Sequence, residues 1–285
     1  MDIKVIMNKI IVKVPRISVL FLFFFFPISN ACSPNLFTDN ALKNDSCEMV
    51  LCTWNIGHFS NGKNPRSLID GSNYESKVNG LMRILYDSIR ADVLCVNEYS
   101  KVLGVDSKKK EQLTASVLMQ QYKIQKEGKQ VGFSSNSIFS NVKVRNIKEC
   151  SFACTQTYVK DTPRAANYYY LAADLYIKHR KVKLICAHTI SGAPTICQAQ
   201  IAELINKYAK FERVIMCGDW NTTDYSSFVK AGYTLANKGG IPTFHSKQTP
   251  IDNIIVKGLN VSFAKSLRTN LSDHYPLLCR ISVNR

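Results

Sequence analysis

Several apolar, strand-like runs in this 285-residue chain begin or end on residues that can do chemistry. Asn55 lies at the end of LCTWNI, Glu98 of VLCVNE, His188 of KLICAHT, and Asp219 and Asn221 of VIMCGDWN. Asp252 opens DNIIV, and Asp273-His274 precede YPLLC. One charged strand end is an ordinary solvated terminus. Three Asp, one Glu, two His and two Asn so placed call for one shared cleft, because unpaired charge inside a core is costly. Carboxylates and amide oxygens without thiolates suit a hard, oxygen-seeking cation such as Mg2+ or Mn2+. Two histidines beside them titrate near neutral pH. The combination fits hydrolysis of a phosphate ester, where positioning and charge neutralisation dominate catalysis.

Those residues need elements that carry them to one edge. Strand 49–56 is followed by an amphipathic helix over 74–90, in which Val78, Leu81, Met82, Leu85 and Ile89 recur at helical spacing. Strand 92–98 comes next, then a helix over 108–121 with Lys108-Lys109-Lys110 as its solvated start. Segments 122–126, 131–139, 142–149 and 168–177 read as successive strands. Strand 182–188 pairs with 168–177 through the basic turn Lys178-His179-Arg180-Lys181. Helices over 195–209 and 224–231 and strands 213–219, 252–256, 259–264 and 275–283 complete the chain. Strands apolar on both faces, flanked by helices, predict an α/β fold: a four-layer α/β sandwich of two packed, mostly antiparallel sheets. One such domain accounts for residues 48–285.

TWNI at 53–56, NE at 97–98, AHT at 187–189, GDWN at 218–221, IDNIIV at 251–256 and SDHYP at 272–276 follow one another in order. Together they resemble the endonuclease/exonuclease/phosphatase superfamily, the fold of pancreatic-type deoxyribonucleases, over residues 49 to 283. Asn136-Ser137-Ile138-Phe139-Ser140 is similar to a further segment of that family. The resemblance implies Glu98 as principal metal ligand, with Asn55 and Asp273 beside it. It implies His274 as general base, oriented by Asp252, and Asp219 orienting the attacking water or contacting metal. Asn221 would hold a phosphate oxygen, and His188 would protonate or stabilise the leaving oxygen. Deoxyribonuclease-type members give that second histidine its own acidic partner, and no counterpart stands out here.

Hairpin geometry adds Arg164 as a phosphate-binding residue, since the start of strand 168–177 lies beside the end of 182–188. The same geometry puts the basic turn roughly 20 Å from His188 and makes it a solvated hairpin tip. Tyr168-Tyr169-Tyr170 alternate between core and surface. Trp54 and Trp220 pack beneath the site, and Gly239-Gly240 begin a loop near the cleft.

Net charge is +16, which makes nucleic acid or anionic lipid a plausible partner. Lys4, Lys9, Lys13 and Arg16 form a basic n-region before the apolar run Ile17–Phe26, and Ser29-Asn30-Ala31 matches a small-x-small cleavage site. Residues 1–31 therefore read as a signal peptide, the apolar stretch being about half a membrane span. Cleavage leaves 33 basic and 20 acidic residues, a net +13. It also leaves Cys32 first, in a sequence loosely like a lipoprotein box, with 32–47 as a tether. The protein is thus expected to be exported: periplasmic, tethered to the outer membrane through Cys32, or secreted. Cys52, Cys95, Cys186, Cys217 and Cys279 lie in apolar runs as small buried hydrophobes, while Cys47, Cys150, Cys154 and Cys197 read as loop residues. Asn-x-Ser/Thr triplets at Asn44, Asn221, Asn260 and Asn270 read as chance.

The reading that follows is an exported, metal-dependent phosphoesterase that acts as a monomer, with nucleic acid the leading substrate. A phospholipid or inositol-phosphate substrate is the alternative. A catalytically inactive binding protein on the same fold is a third reading, disfavoured because the acid–base and carboxylate set is complete.

Overall fold

The computed structural model describes residues 47–57, 79–80, 83–99, 102–106, 111–114, 122–128, 135–158 and 169–283, all within the compact unit Ala41–Arg285. Two six-stranded sheets organise them. In the first, β1 (Glu48–Asn55) lies parallel to β2 (Val93–Tyr99). Beyond them come β5 (Ile124–Glu127), β6 (Ser135–Ser140), β13 (Asn260–Ser266) and β14 (Leu277–Ser282), in the order β13-β14-β1-β2-β6-β5. In the second, β9 (Arg180–His188) lies parallel to β10 (Val214–Asp219). It is completed by β7 (Val144–Ser151), β8 (Tyr169–Ile177), β11 (Thr234–Leu235) and β12 (Asp252–Lys257), in the order β11-β12-β10-β9-β8-β7. All other pairings within the two sheets are antiparallel.

The continuous apolar runs follow from burial on both faces, since successive side chains point to opposite sides of a strand. Leu51, Val93, Cys95, Leu184, Cys186, Ile215 and Cys217 meet between the sheets. Cys52, Trp54, Leu94 and Val96 turn outward, against Leu85 and Ile89 of a π-helical segment, Ile84–Ile89. On the other side Ile185, Ala187, Val214 and Met216 pack under α2 (Pro194–Tyr208) and Phe228 of the short helix α3 (Ser226–Lys230). Three apolar clusters separating helices, sheet, sheet and helices are the four layers the sequence predicts. Among the described residues no helix is long and apolar enough to cross a membrane.

Some expectations need correction. Where a helix over 108–121 was expected, β3 (Val102–Asp106) and β4 (Glu111–Thr114) form a separate two-stranded hairpin. β-branched Val102 and Val105 favour strand in β3, as Thr114 does in β4. Residues 107–110 and 115–121 lie outside the described residues, as do Val78, Leu81, Met82, Tyr168, Arg164 and the leader and tether up to residue 46. A short helix, α1 (Ala153–Tyr158), was not anticipated. Its N-terminal amides at Ala153 and Cys154 donate to Glu203. Three cysteines read as loop residues sit in elements instead: Cys150 in β7, Cys154 in α1 and Cys197, buried, in α2. The nine cysteines among the described residues are all free thiols.

Candidate active site

Both parallel strand pairs deliver their C-terminal ends to one edge. Asn55 ends β1, Glu98 lies near the end of β2, His188 ends β9 and Asp219 ends β10. β12 runs antiparallel to β10, so its first residue, Asp252, falls level with Asp219. Together with Asp273 and His274, before β14, they surround a cleft of about 500 Å3 whose lining includes Glu98, His188, Asp219, Asn221, Asp273 and His274.

Local conformation accounts for several motif residues. The pairing of β2 with β6 slips between Val96 and Tyr99, and within that bulge Glu98 takes φ +51°, which aims its carboxylate at the cleft rather than along the pleat. Gly218 has φ +145°, and a Cβ there would stand 1.8 Å from the Ala187 carbonyl oxygen, so GDWN tolerates only glycine at its head. Asn221 at its tail is left-handed, with φ +48°. Both tryptophans are fully buried. Trp54 Nε1 donates to the His274 carbonyl at 3.0 Å and Trp220 Nε1 to that of Asn253 at 3.1 Å, so each pins a site segment from below.

Asp219 is the centre of the constellation. Its Oδ2 accepts from Asn55 Nδ2 at 3.0 Å and lies 3.4 Å from His188 Nε2 and 3.7 Å from His274 Nε2. Burial opposes ionisation of this carboxyl, but His274, His188 and the Asn221 amide outweigh it and hold the pKa at about 2. His274 Nδ1 meets Asp252 Oδ2 at 2.8 Å. Burial disfavours the His274 cation, yet the Asp252 and Asp219 charges prevail and raise its pKa to about 10. Burial pushes the carboxyls of Asp252 and Asp273 upward, helped at Asp273 by the neighbouring charge of Glu98. His188 is also raised: burial acts against its charge, and Asp219 and Glu98 outweigh it.

His188 turns Nε2 toward Asp219 and Glu98, while its buried Nδ1 has no hydrogen-bond partner among the described residues. Asn55 has a positioning geometry: its amide nitrogen donates to Glu98 and Asp219, and its oxygen accepts from the Gly57 amide. Asn221 donates from Nδ2 to the Thr189 carbonyl.

Three further residues contribute to the site. Asn97, fully buried, donates to Asn136 Oδ1 at 2.7 Å and the Ala187 carbonyl at 3.0 Å, and accepts from the Asp219 amide at 2.9 Å. It clamps one sheet to the other directly beneath Glu98 and Asp219. Phe244, from the loop that follows Gly239-Gly240, lays its ring 4.8 Å from that of His274 and walls the cleft. Lys247 is the only lysine or arginine lining the cleft among the described residues.

Could this site hold a divalent cation? Asp219, Asp252 and His274 present one ligand atom each within 4.8 Å of one another. Within that group His274 Nδ1 and Asp252 Oδ2 are hydrogen-bonded to each other. Glu98 and Asp273, whose charges disfavour each other, open on the same cleft and supply the oxygen donors a hard cation prefers. The residues fit such an ion.

No protein-family model matches the sequence, and no curated protein does. Solved structures are similar in fold. An endonuclease/exonuclease/phosphatase family protein from Leptotrichia buccalis superposes with a TM-score of 0.61 at 17% identity, over 82% of this chain and 99% of that one. One from Beutenbergia cavernae gives 0.62 at 15% identity, over 83% and 72%. D. rerio TDP2 complexed with single strand DNA product gives 0.56 at 13% identity, over 83% and 99%. The chain has the deoxyribonuclease-like α/β sandwich fold that these proteins share.

Proposed function

We propose that the protein is a divalent-metal-dependent phosphoesterase that hydrolyses phosphodiester bonds, with nucleic acid as substrate. The observation that carries this reading is the pair of imidazoles whose Nε2 atoms both face Asp219 Oδ2, one of them backed by buried Asp252. The Asp252 bond fixes Nδ1 of His274 and leaves Nε2 toward the cleft to take a proton from water. His188, across Asp219, is placed to give a proton to the departing oxygen, and Asn221 at the rim to hold a phosphate oxygen. Glu98 and Asp273, with Asn55 beside them, would hold Mg2+ or Mn2+. A cation held there would neutralise phosphate charge and, by its own positive charge, lower the His274 pKa.

Support for nucleic acid comes from the fold shared with a protein complexed with single strand DNA, and from the aromatic wall at Phe244 beside Lys247. The test is a side-by-side assay of plasmid DNA, single-stranded DNA, RNA, sphingomyelin and inositol phosphates. Cleavage of nucleic acid in Mg2+, loss in EDTA and recovery with Mg2+ or Mn2+ is the expected pattern. Full activity after exhaustive chelation would remove the metal from the scheme. Turnover of a lipid or inositol phosphate alone would keep the chemistry and replace the substrate.

Export is part of the proposal. Cleavage after Ala31 with acylation of Cys32 predicts an intact mass, for protein recovered from its own host, equal to residues 32–285 plus lipid. A mass equal to the bare chain 32–285 would mean secretion without a lipid, and the full-length mass would reject the leader.

A further inference from the structure

The cleft is lined by Glu98, Asp219 and Asp273 against one lysine, so the chain's net charge of +16 is not concentrated where the chemistry occurs. A second pocket, of about 340 Å3, lies at the other end of β9 and β10 and is lined by Arg180, Lys181, Lys183, Lys210 and Arg213. Its two acidic lining residues are already engaged: Asp174 by Lys183 at 2.6 Å and Asn146 at 2.8 Å, and Glu212 by Arg213 at 2.9 Å. Arg180, Lys181 and Lys210 stand exposed above those pairs. Lys257 lies level with Val214 at this same end, because β12 runs against β10. Arg180 is eight residues before His188 in β9, which puts the basic end roughly 25 Å from the site at about 3.3 Å per residue. One nucleic-acid phosphate could not reach both.

We propose that this basic end docks the protein onto an anionic membrane surface, with the cleft turned away from the bilayer. Chain direction selects a membrane rather than nucleic acid. β1 starts at Glu48 and ends at the cleft on Asn55, so the chain enters the sandwich at the end of β1 remote from the cleft. The preceding sequence carries Cys32, the first residue after the proposed cleavage and the proposed site of acylation. A single hydrophobic or acyl anchor binds only marginally, and a basic patch is the usual second contribution. Docking in this orientation holds the cleft well above the headgroups. The substrate is then a soluble phosphodiester and not a lipid of the same leaflet.

The experiment is cosedimentation of the full chain with phosphatidylcholine vesicles, with and without phosphatidylserine, comparing wild type with the triple variant Arg180→Gln, Lys181→Gln, Lys210→Gln. A cation close to an anionic surface contributes roughly fivefold to partitioning. The triple variant should therefore bind the phosphatidylserine vesicles about a hundredfold more weakly, bind pure phosphatidylcholine vesicles as wild type does, and turn over a soluble phosphodiester at the wild-type rate. The wild-type preference for phosphatidylserine should also fade with added salt. Equal binding of wild type to both vesicle types would overturn the proposal, as would a variant that keeps the preference. A variant that loses retention of DNA while vesicle binding is unchanged would assign the face to nucleic acid instead. Because turnover is read separately, loss of docking and loss of the proposed activity are distinguishable.

Discussion

Replacing His274 with alanine should lower kcat on the phosphodiester substrate by roughly 10²–10⁴-fold, the range a positioned acid–base group supplies. Its backbone anchors do not depend on the imidazole: the carbonyl accepts from Trp54 and the amide donates to Ser272 Oγ. The side chain, however, is the hydrogen-bond partner of a fully buried carboxylate, and Asp252 Oδ1 already has no partner among the described residues. Stranding Asp252 should cost about 3–5 kcal/mol if it stays charged, less if it takes up a proton. The double variant His274→Ala with Asp252→Asn removes that penalty. It should melt higher than His274→Ala alone and be no slower, because both residues serve one proton transfer and their kinetic effects do not add. Measured kcat and Tm for the three proteins check this. Activity within a few-fold of wild type in His274→Ala would mean that water is activated elsewhere.

What the sequence made legible, and what it did not, follows from how far each feature reaches along the chain. Asp219, Asp252 and His188 stand out because a charge interrupts an apolar run at its end, which period-2 burial cannot explain. The four layers are legible for a related reason: Leu51 and Cys52, or Leu184 and Ile185, are neighbours facing different cores. The clamp at Asn97 is invisible in VLCVNE, because its partners Asn136, Ala187 and Asp219 come from three other strands. The Phe244–His274 contact likewise joins segments thirty residues apart. The segment after Asp106 misled because polar, lysine-rich spacing fits a helix as well as it fits a hairpin turn. The net charge is legible only as a total: a sum over the chain carries no position, and Arg180, Lys181 and Lys210 lie at the end opposite the cleft.

The clustering of charge at the cleft also sets how stability should vary with pH when divalent ions are chelated. His274 has a folded pKa near 10 against 6.5 for an ordinary histidine, held up by Asp252 and Asp219 against the opposing effect of burial. A raised basic group contributes stability that is complete below about 6.5 and disappears as pH climbs through about 10. Asp219 behaves in the opposite sense. Its folded pKa near 2 lies below 3.8, so its contribution is complete above about 3.8 and is lost as pH falls toward 2. Asp252 and Asp273, raised chiefly by burial, carry a penalty that sets in as pH rises past about 3.8 and is complete once they have ionised. In EDTA, Tm should therefore be highest between about pH 4 and 6.5 and decline by an amount worth a few kcal/mol toward pH 10. Asp252→Asn removes the foremost charge holding His274 protonated, so its alkaline decline should still start near pH 6.5 but be smaller and end at lower pH. Mg2+ held by Glu98 and Asp273, as proposed, would stabilise the folded chain and should raise Tm most at alkaline pH, where imidazolium no longer balances the carboxylates. A melting profile in EDTA that is flat from pH 6 to 10 would show that the histidines and carboxylates do not share charge as their spacing requires.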